Sequence, residues 1–217
     1  MKLVEATALW SRFHRGFGHH GPRGPVGGPP ALVIPGFLAN DRTTLELRRR
    51  LAARGWRVHP WEGGTNNGAH AALLDQLAAR LDAIADGQKV LLVGWSLGGV
   101  FARELARTRP GQVRAVVTLG SPFSGNPRLN NMWQLYEKTA GHPVDAPPVP
   151  QSPDKPPVPT LALWSRRDGI VAPRAARGLP HESDRTAELA CRHMEFGLSR
   201  RALDGVMREI ESFVGAA

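Results

Sequence analysis

Three residues of this 217-residue chain combine the types that make and serve a nucleophile with positions just behind apolar runs. Ser96 stands in "GWSLGG" (94–99), between the apolar run "KVLLVG" (89–94) and a segment that reads as a helix to about Thr108. A serine at its ordinary pKa attacks poorly unless a base takes its proton, and a base that becomes cationic needs an acid to orient it. Asp168 follows the apolar run "TLALWS" (160–165), in "RRDGIVAP", and His193 follows "RTAELA" (185–190), in "CRHMEF". The chemistry of such a set is acyl transfer through a covalent intermediate. Asp184 or Glu182 are alternatives for the acid, and His142, His181 or His59 for the base, but none sits so directly behind an apolar run. Arg166 and Arg167 precede Asp168 and either favour its ionised form or are simply solvated. Cys191, a remote alternative nucleophile, lacks a glycine turn and reads as the end of a buried strand.

The glycines matter as much as the serine. A sharp strand-to-helix turn needs small neighbours if helix and strand are to pack closely, and it aims the helix N-terminus at a developing oxyanion. The Leu97 amide is one expected oxyanion donor. The second is the Phe37 amide in "IPGFLAND" (34–41), where Gly36 permits close approach. Phe37, Trp95, Phe123, Met132, Trp133 and Tyr136 supply an apolar setting for an acyl or aromatic group.

The elements that must hold these residues follow from periodicity. Short apolar runs at 31–35, 56–61, 89–94, 113–120, 160–165 and 185–190 alternate with amphipathic stretches at 41–55, around Leu73, Leu77, Leu81 and Ile84, and from Ser96 onward. Alternation of this kind predicts parallel strands joined by crossover helices, hence an α/β fold with a mostly parallel sheet flanked by helices. In the last helix Leu203, Val206, Met207, Ile210, Phe213 and Val214 form one stripe for packing on the sheet. Residues 121–159 are too long for an ordinary connection and form an insertion. Its first half is expected to hold a short helix and its proline-dense second half to be extended. It is either a cap over a ligand site or a surface loop packed by its own aromatics.

Residues 1–30 read as a short amphipathic helix and a Gly/Pro linker, and 31–217 as the main domain. His19 and His20, with no Cys, Asp or Glu beside them, are expected to be solvated, and no metal site is expected. The net charge of +9 is spread among leucines at helical spacing, as in "LRRRLAARGWR" (47–57), and no nucleic-acid motif accompanies it. The single cysteine rules out an intramolecular disulfide. No signal peptide or membrane span is evident, so a cytoplasmic location is the default expectation.

With "PGF", "GWSLGG", "TLGSPFSG", "SRRDGIVAP" and "RHMEF" in this order, the chain resembles the α/β-hydrolase family across roughly residues 31–214, in particular its small esterase and lipase-like members. It departs from many members in Pro35 before the oxyanion glycine and Trp95 before the serine. The resemblance implies a Ser96–His193–Asp168 triad acting on a small-molecule or lipid ester, with no metal or organic cofactor. Transfer of the acyl group to an alcohol or thiol by the same triad, and a non-catalytic binding protein on this scaffold, remain alternatives.

Overall fold

The structure, a computed structural model, describes residues 24–215; the expected N-terminal helix, with His19 and His20, lies outside the described residues. Six strands are seen: β1 (Pro30–Ile34), β2 (Arg57–Pro60), β3 (Val90–Trp95), β4 (Val113–Leu119), β5 (Thr160–Trp164) and β6 (Arg185–Glu188). All neighbours pair in parallel, in the order β2-β1-β3-β4-β5-β6. Every residue of β1, β3 and β5 is buried, as both faces of the sheet are covered. At the edge, β6 alternates half-buried and exposed residues.

One face carries α1 (Leu45–Ala53), α6 (Glu195–Leu198) and α7 (Arg200–Val214), packed on Val33, Val93, Val117 and Leu163. The whole apolar stripe of α7 predicted above is buried there. The other face carries α2 (Leu73–Ala85) and α3 (Leu97–Thr108), packed on Leu32, Ile34, Leu92 and Val116. Each of these aliphatic side chains, removed wholly from water, contributes roughly 1.5–3 kcal/mol to holding the layers together. Two short helices complete the fold, α4 (Trp133–Ala140) within the insertion and α5 (Pro173–Arg177) after β5.

The structure shortens the helix predicted over 41–55 to Leu45–Ala53. Residues 41–44 form a turn, because Asn40, Arg42 and Thr43 bond to one another: the Thr43 hydroxyl donates to Asn40 O (2.6 Å) and Asn40 Oδ1 accepts the Arg42 amide (3.0 Å). Short polar side chains offer the backbone these alternatives to a helix. Asp41 is committed elsewhere, its carboxylate accepting the amides of Trp61 and Glu62, both at 3.1 Å; burial pushes its pKa up.

The register Ile34, Gly94, Thr118, Ala162, Thr186 runs straight across five strands, so the loops that follow them open on one edge. From β1 the chain goes first to β2 on one side and then to β3 on the other. The crevice at this switch, beyond the carboxyl ends of β1 and β3, is where an open parallel sheet binds ligands.

Candidate active site

Ser96 lies at that crevice, one residue beyond β3 and at the N-cap of α3, with φ 53° and ψ −124°. This is a region of backbone space nearly reserved for glycine and costs about 1–3 kcal/mol. The strain is imposed by packing. A Cβ on Gly98 would run into the carbonyls of Ile34 and Pro35, and one on Gly94 into the backbone of Gly98 and Gly99. Strand, elbow and helix therefore meet backbone to backbone, and the turn between them has no room to relax.

Asp168 and His193 arrive at the same edge from the loops after β5 and β6. His193 Nδ1 lies 2.7 Å from Asp168 Oδ2, both side chains nearly fully buried. An ionised carboxylate only accepts, so Nδ1 carries the proton and Nε2 is left as the basic nitrogen. Asp168 Oδ1 accepts the amides of Ile170 (2.8 Å) and Val171 (2.9 Å), which fix the carboxylate in place. The neighbouring arginines form no part of this: Arg166 pairs with Glu188 (3.3 Å), and Arg167 is exposed. Trp95 fixes the histidine loop from below, its indole N–H donating to His193 O (3.3 Å).

Ser96 and His193 line one cavity of about 140 Å³, together with Phe37, Leu97, Met132 and Tyr136. Around it, the Leu38 amide donates to Asn66 O (2.7 Å), the Ala39 amide to Gly36 O (3.0 Å) and the Gly99 amide to Ser96 O (3.0 Å). Among the described residues, the amides of Phe37 and Leu97 have no acceptor, which leaves two N–H donors beside the serine. Gly36 abuts the serine, since a Cβ there would stand 3.0 Å from Ser96 Cβ.

Other residues named from the sequence lie elsewhere. Phe123 is buried with Val100 and Ala162, beneath the Arg103 guanidinium at 4.0 Å, and does not line the cavity. Trp133 lies under Arg128 (5.2 Å), also outside it. Trp95 reaches the cavity wall, but its indole is spent on the histidine loop. Glu182 braces the Leu179 amide (2.6 Å), Asp184 holds the Thr160 amide (2.8 Å) and Lys155 (2.6 Å), and His142 lies on Ala69 O (3.1 Å). His59 is on β2, and His181 is exposed. Cys191 is buried, and its thiol is pushed up to about 12 by burial, with the Glu195 and Asp168 charges adding to the rise. It is a poor nucleophile.

The insertion is bound to the domain at both halves. Tyr136 of α4 is buried, its ring 5.4 Å from that of Phe37 and its hydroxyl accepting the Ala69 amide (3.1 Å). Farther along, buried Arg103 of α3 donates to the carbonyls of Pro153 (2.8 Å), Asp154 (3.0 Å) and Glu182 (2.8 Å).

Asn66 was not singled out from the sequence. It is 1% exposed, donates from Nδ2 to Pro35 O (2.8 Å), from its amide to Ala39 O (2.8 Å), and accepts the Leu38 amide. Its Oδ1 accepts the Gly68 amide (3.2 Å). Asn66 thus clasps the 35–39 loop on either side of the free Phe37 amide. The available signal was the turn "GTNNG" at the same strand edge as Ser96.

Comparison with known proteins agrees with this architecture. The family model described as alpha/beta hydrolase fold matches residues 15–148, more than half of the chain. Among solved structures, the chain is similar to a lipase-esterase related protein of Clostridium acetobutylicum ATCC 824, with TM-score 0.65 at 15% identity over 88% of this chain and 96% of that one. It is likewise similar to the monoacylglycerol lipase of Paleococcus ferrophilus, with TM-score 0.59 at 17% identity over 88% and 96% of the two chains. Among curated proteins, it is 40% identical over 58 residues to the pimeloyl-[acyl-carrier protein] methyl ester esterase of Salmonella heidelberg (strain SL476). That match spans 27% of this chain and 22% of the relative. Six parallel strands in this order, helices on both faces and the family match over residues 15–148 make this chain a member of the alpha/beta hydrolase fold family.

Proposed function

We propose that the protein is a serine hydrolase of carboxylic esters. The observation that carries this reading is the Asp168–His193 pair, joined at 2.7 Å, with His193 lining the cavity in which Ser96 occupies a strained elbow. Ser96 Oγ attacks the ester carbonyl while His193 Nε2 takes its proton. The carbonyl oxygen, now an anion, is held by the Phe37 and Leu97 amides. Collapse breaks the bond to the alcohol, which leaves with the proton from His193, and an acyl group remains on Ser96. Water then attacks the acyl carbonyl, losing its proton to His193, and the acid is released with Ser96 restored. Asp168 holds the imidazole in the required tautomer and stabilises its cation throughout. The curated relative's name, a methyl ester esterase, points to the same bond class.

A burst assay with 4-nitrophenyl butyrate, followed by intact-mass detection of a fluorophosphonate adduct, tests the reading. Turnover and one adduct at Ser96, both lost in Ser96→Ala, are expected. A wild type inert to ester and probe alike would refute it and bring the non-catalytic reading forward.

A further inference from the structure

Arg42 lines the same cavity and, among the described residues, forms no ion pair. Its Nε is closed off from solvent without an acceptor. The acids nearest in sequence are committed: Asp41 to the Trp61 and Glu62 amides, and Glu46 to Arg50 (3.2 Å) and Arg49 (3.8 Å). Arg50, Arg54, Arg57, Arg80, Arg128 and Arg185 each stand in an ion pair, and Arg109, Arg167, Arg174 and Arg200, which form none among the described residues, are exposed to water rather than set against a cavity. The turn at 40–43 holds the Arg42 backbone at the cavity, through the bond from its amide to Asn40 Oδ1. A guanidinium cut off from water on one side and lacking an anion interacts strongly with any carboxylate brought to it, because the surroundings screen poorly. Among the described lining residues, Arg42 is the one permanently charged cation, so the charge matches a single monoanion.

We propose that Arg42 is the anion-recognising residue of this cavity, and that the preferred ester carries a carboxylate held by its guanidinium. This rests on the hydrolase reading above and deepens it to a substrate class. The planar fork of arginine fits a carboxylate in two parallel N–H···O bonds, fixing the distance from the anion to the scissile bond.

The test compares three esters of similar size: 4-nitrophenyl butyrate, the 4-nitrophenyl monoester of glutaric acid, and 3-carboxy-4-nitrophenyl butyrate. The second carries its carboxylate on the acid half and the third on the alcohol half. Each is assayed with wild type, Arg42→Gln and Arg42→Lys. For one carboxylate ester, the ratio of its kcat/KM to that of neutral butyrate is expected to exceed one in the wild type. In Arg42→Gln it should fall by about tenfold to a hundredfold, the size of a lost charge-assisted hydrogen bond, with Arg42→Lys between. Ratios equal in wild type and Arg42→Gln for both carboxylate esters, while neutral butyrate is turned over and Ser96 is labelled by fluorophosphonate, overturn the proposal and leave the hydrolase reading intact. A wild type inert to butyrate and probe marks failure of the hydrolase reading itself. Calorimetry with glutarate and with benzoate then decides: binding heat in wild type that Arg42→Gln abolishes supports anion recognition, and no difference overturns it.

Discussion

The sharpest test of how the site is held together is Asn66→Ala. The substitution deletes the Nδ2 bond to Pro35 O (2.8 Å) and the Oδ1 bond from the Gly68 amide (3.2 Å), while the backbone bonds of residue 66 to Leu38 and Ala39 can persist. One carbonyl and one amide are left buried without partners, which costs about 1–3 kcal/mol each if water does not enter. For a chain of this size that lowers Tm by about 2–4 °C per kcal/mol. The catalytic effect is separate. Loss of one oxyanion donor outright costs about 10²–10³ in kcat, and a Phe37 amide that wanders from its place loses part of that. The expected result is a kcat about 10–100-fold lower with KM within about threefold, because the amide contacts the oxygen only as it becomes charged. Steady-state kinetics with 4-nitrophenyl butyrate, beside thermal denaturation of the same preparations, measures both. A variant that loses stability but keeps kcat within about twofold would refute the clasp as a catalytic device and leave it a structural one.

Further outcomes follow from the elbow, the buried arginine and the cysteine. Ser96→Gly should abolish turnover yet raise Tm, since φ 53° and ψ −124° suit glycine and about 1–3 kcal/mol of strain is relieved; Ser96→Ala should abolish turnover with no such gain. Calorimetric Tm values of the two variants side by side check this. Arg103→Met should cost about 1–3 kcal/mol, because the buried Glu182 carbonyl loses its donor while Asp154 O keeps the bond from Arg107 (2.7 Å), and limited proteolysis should find faster cleavage near Ser152–Lys155, where one of the holds on the insertion is gone. The Cys191 thiol, with its pKa raised from 9.0 to about 12, stays protonated in the folded chain while an unfolded chain ionises. Its contribution is fully present below about pH 9 and is lost as pH rises toward 12, so the folded chain should resist a thiol reagent at pH 8 and react only on denaturation.

The sheet and the residues at its edge were legible because burial leaves periodic traces. "ALVIP", "KVLLVG" and "TLALWS" are apolar throughout since both faces of their strands are covered, and Ser96, Asp168 and His193 could be read as loop residues from their positions just past such runs. Loop-to-loop contacts leave no such trace. Asn66 clasps Pro35 across 31 positions, and Arg103 reaches Pro153 across 50, by single hydrogen bonds that any polar residue in a turn or on a helix might make. Phe123 and Trp133 belong by aromatic character to the expected apolar setting; aromatic character alone does not say which surface a ring covers, and both lie beneath arginines. Residues 41–44 carry a helical pattern yet form a turn for a local reason, the competition of Asn40 and Thr43 for backbone partners.

The strand order also sets the sequence in which the site comes into being. Of the six strands, β1 is translated first and lies inside the sheet; β2 joins on one side, and β3, β4, β5 and β6 join on the other in turn. A chain leaving the ribosome can therefore pair each new strand with one already made, never inserting between two. Ser96 and the amides of Phe37 and Leu97 belong to the early portion, whereas Asp168 and His193 come last. On the reading proposed above, the serine waits about a hundred residues of synthesis for its base, and acylation becomes possible only once the outer edge of the sheet has closed.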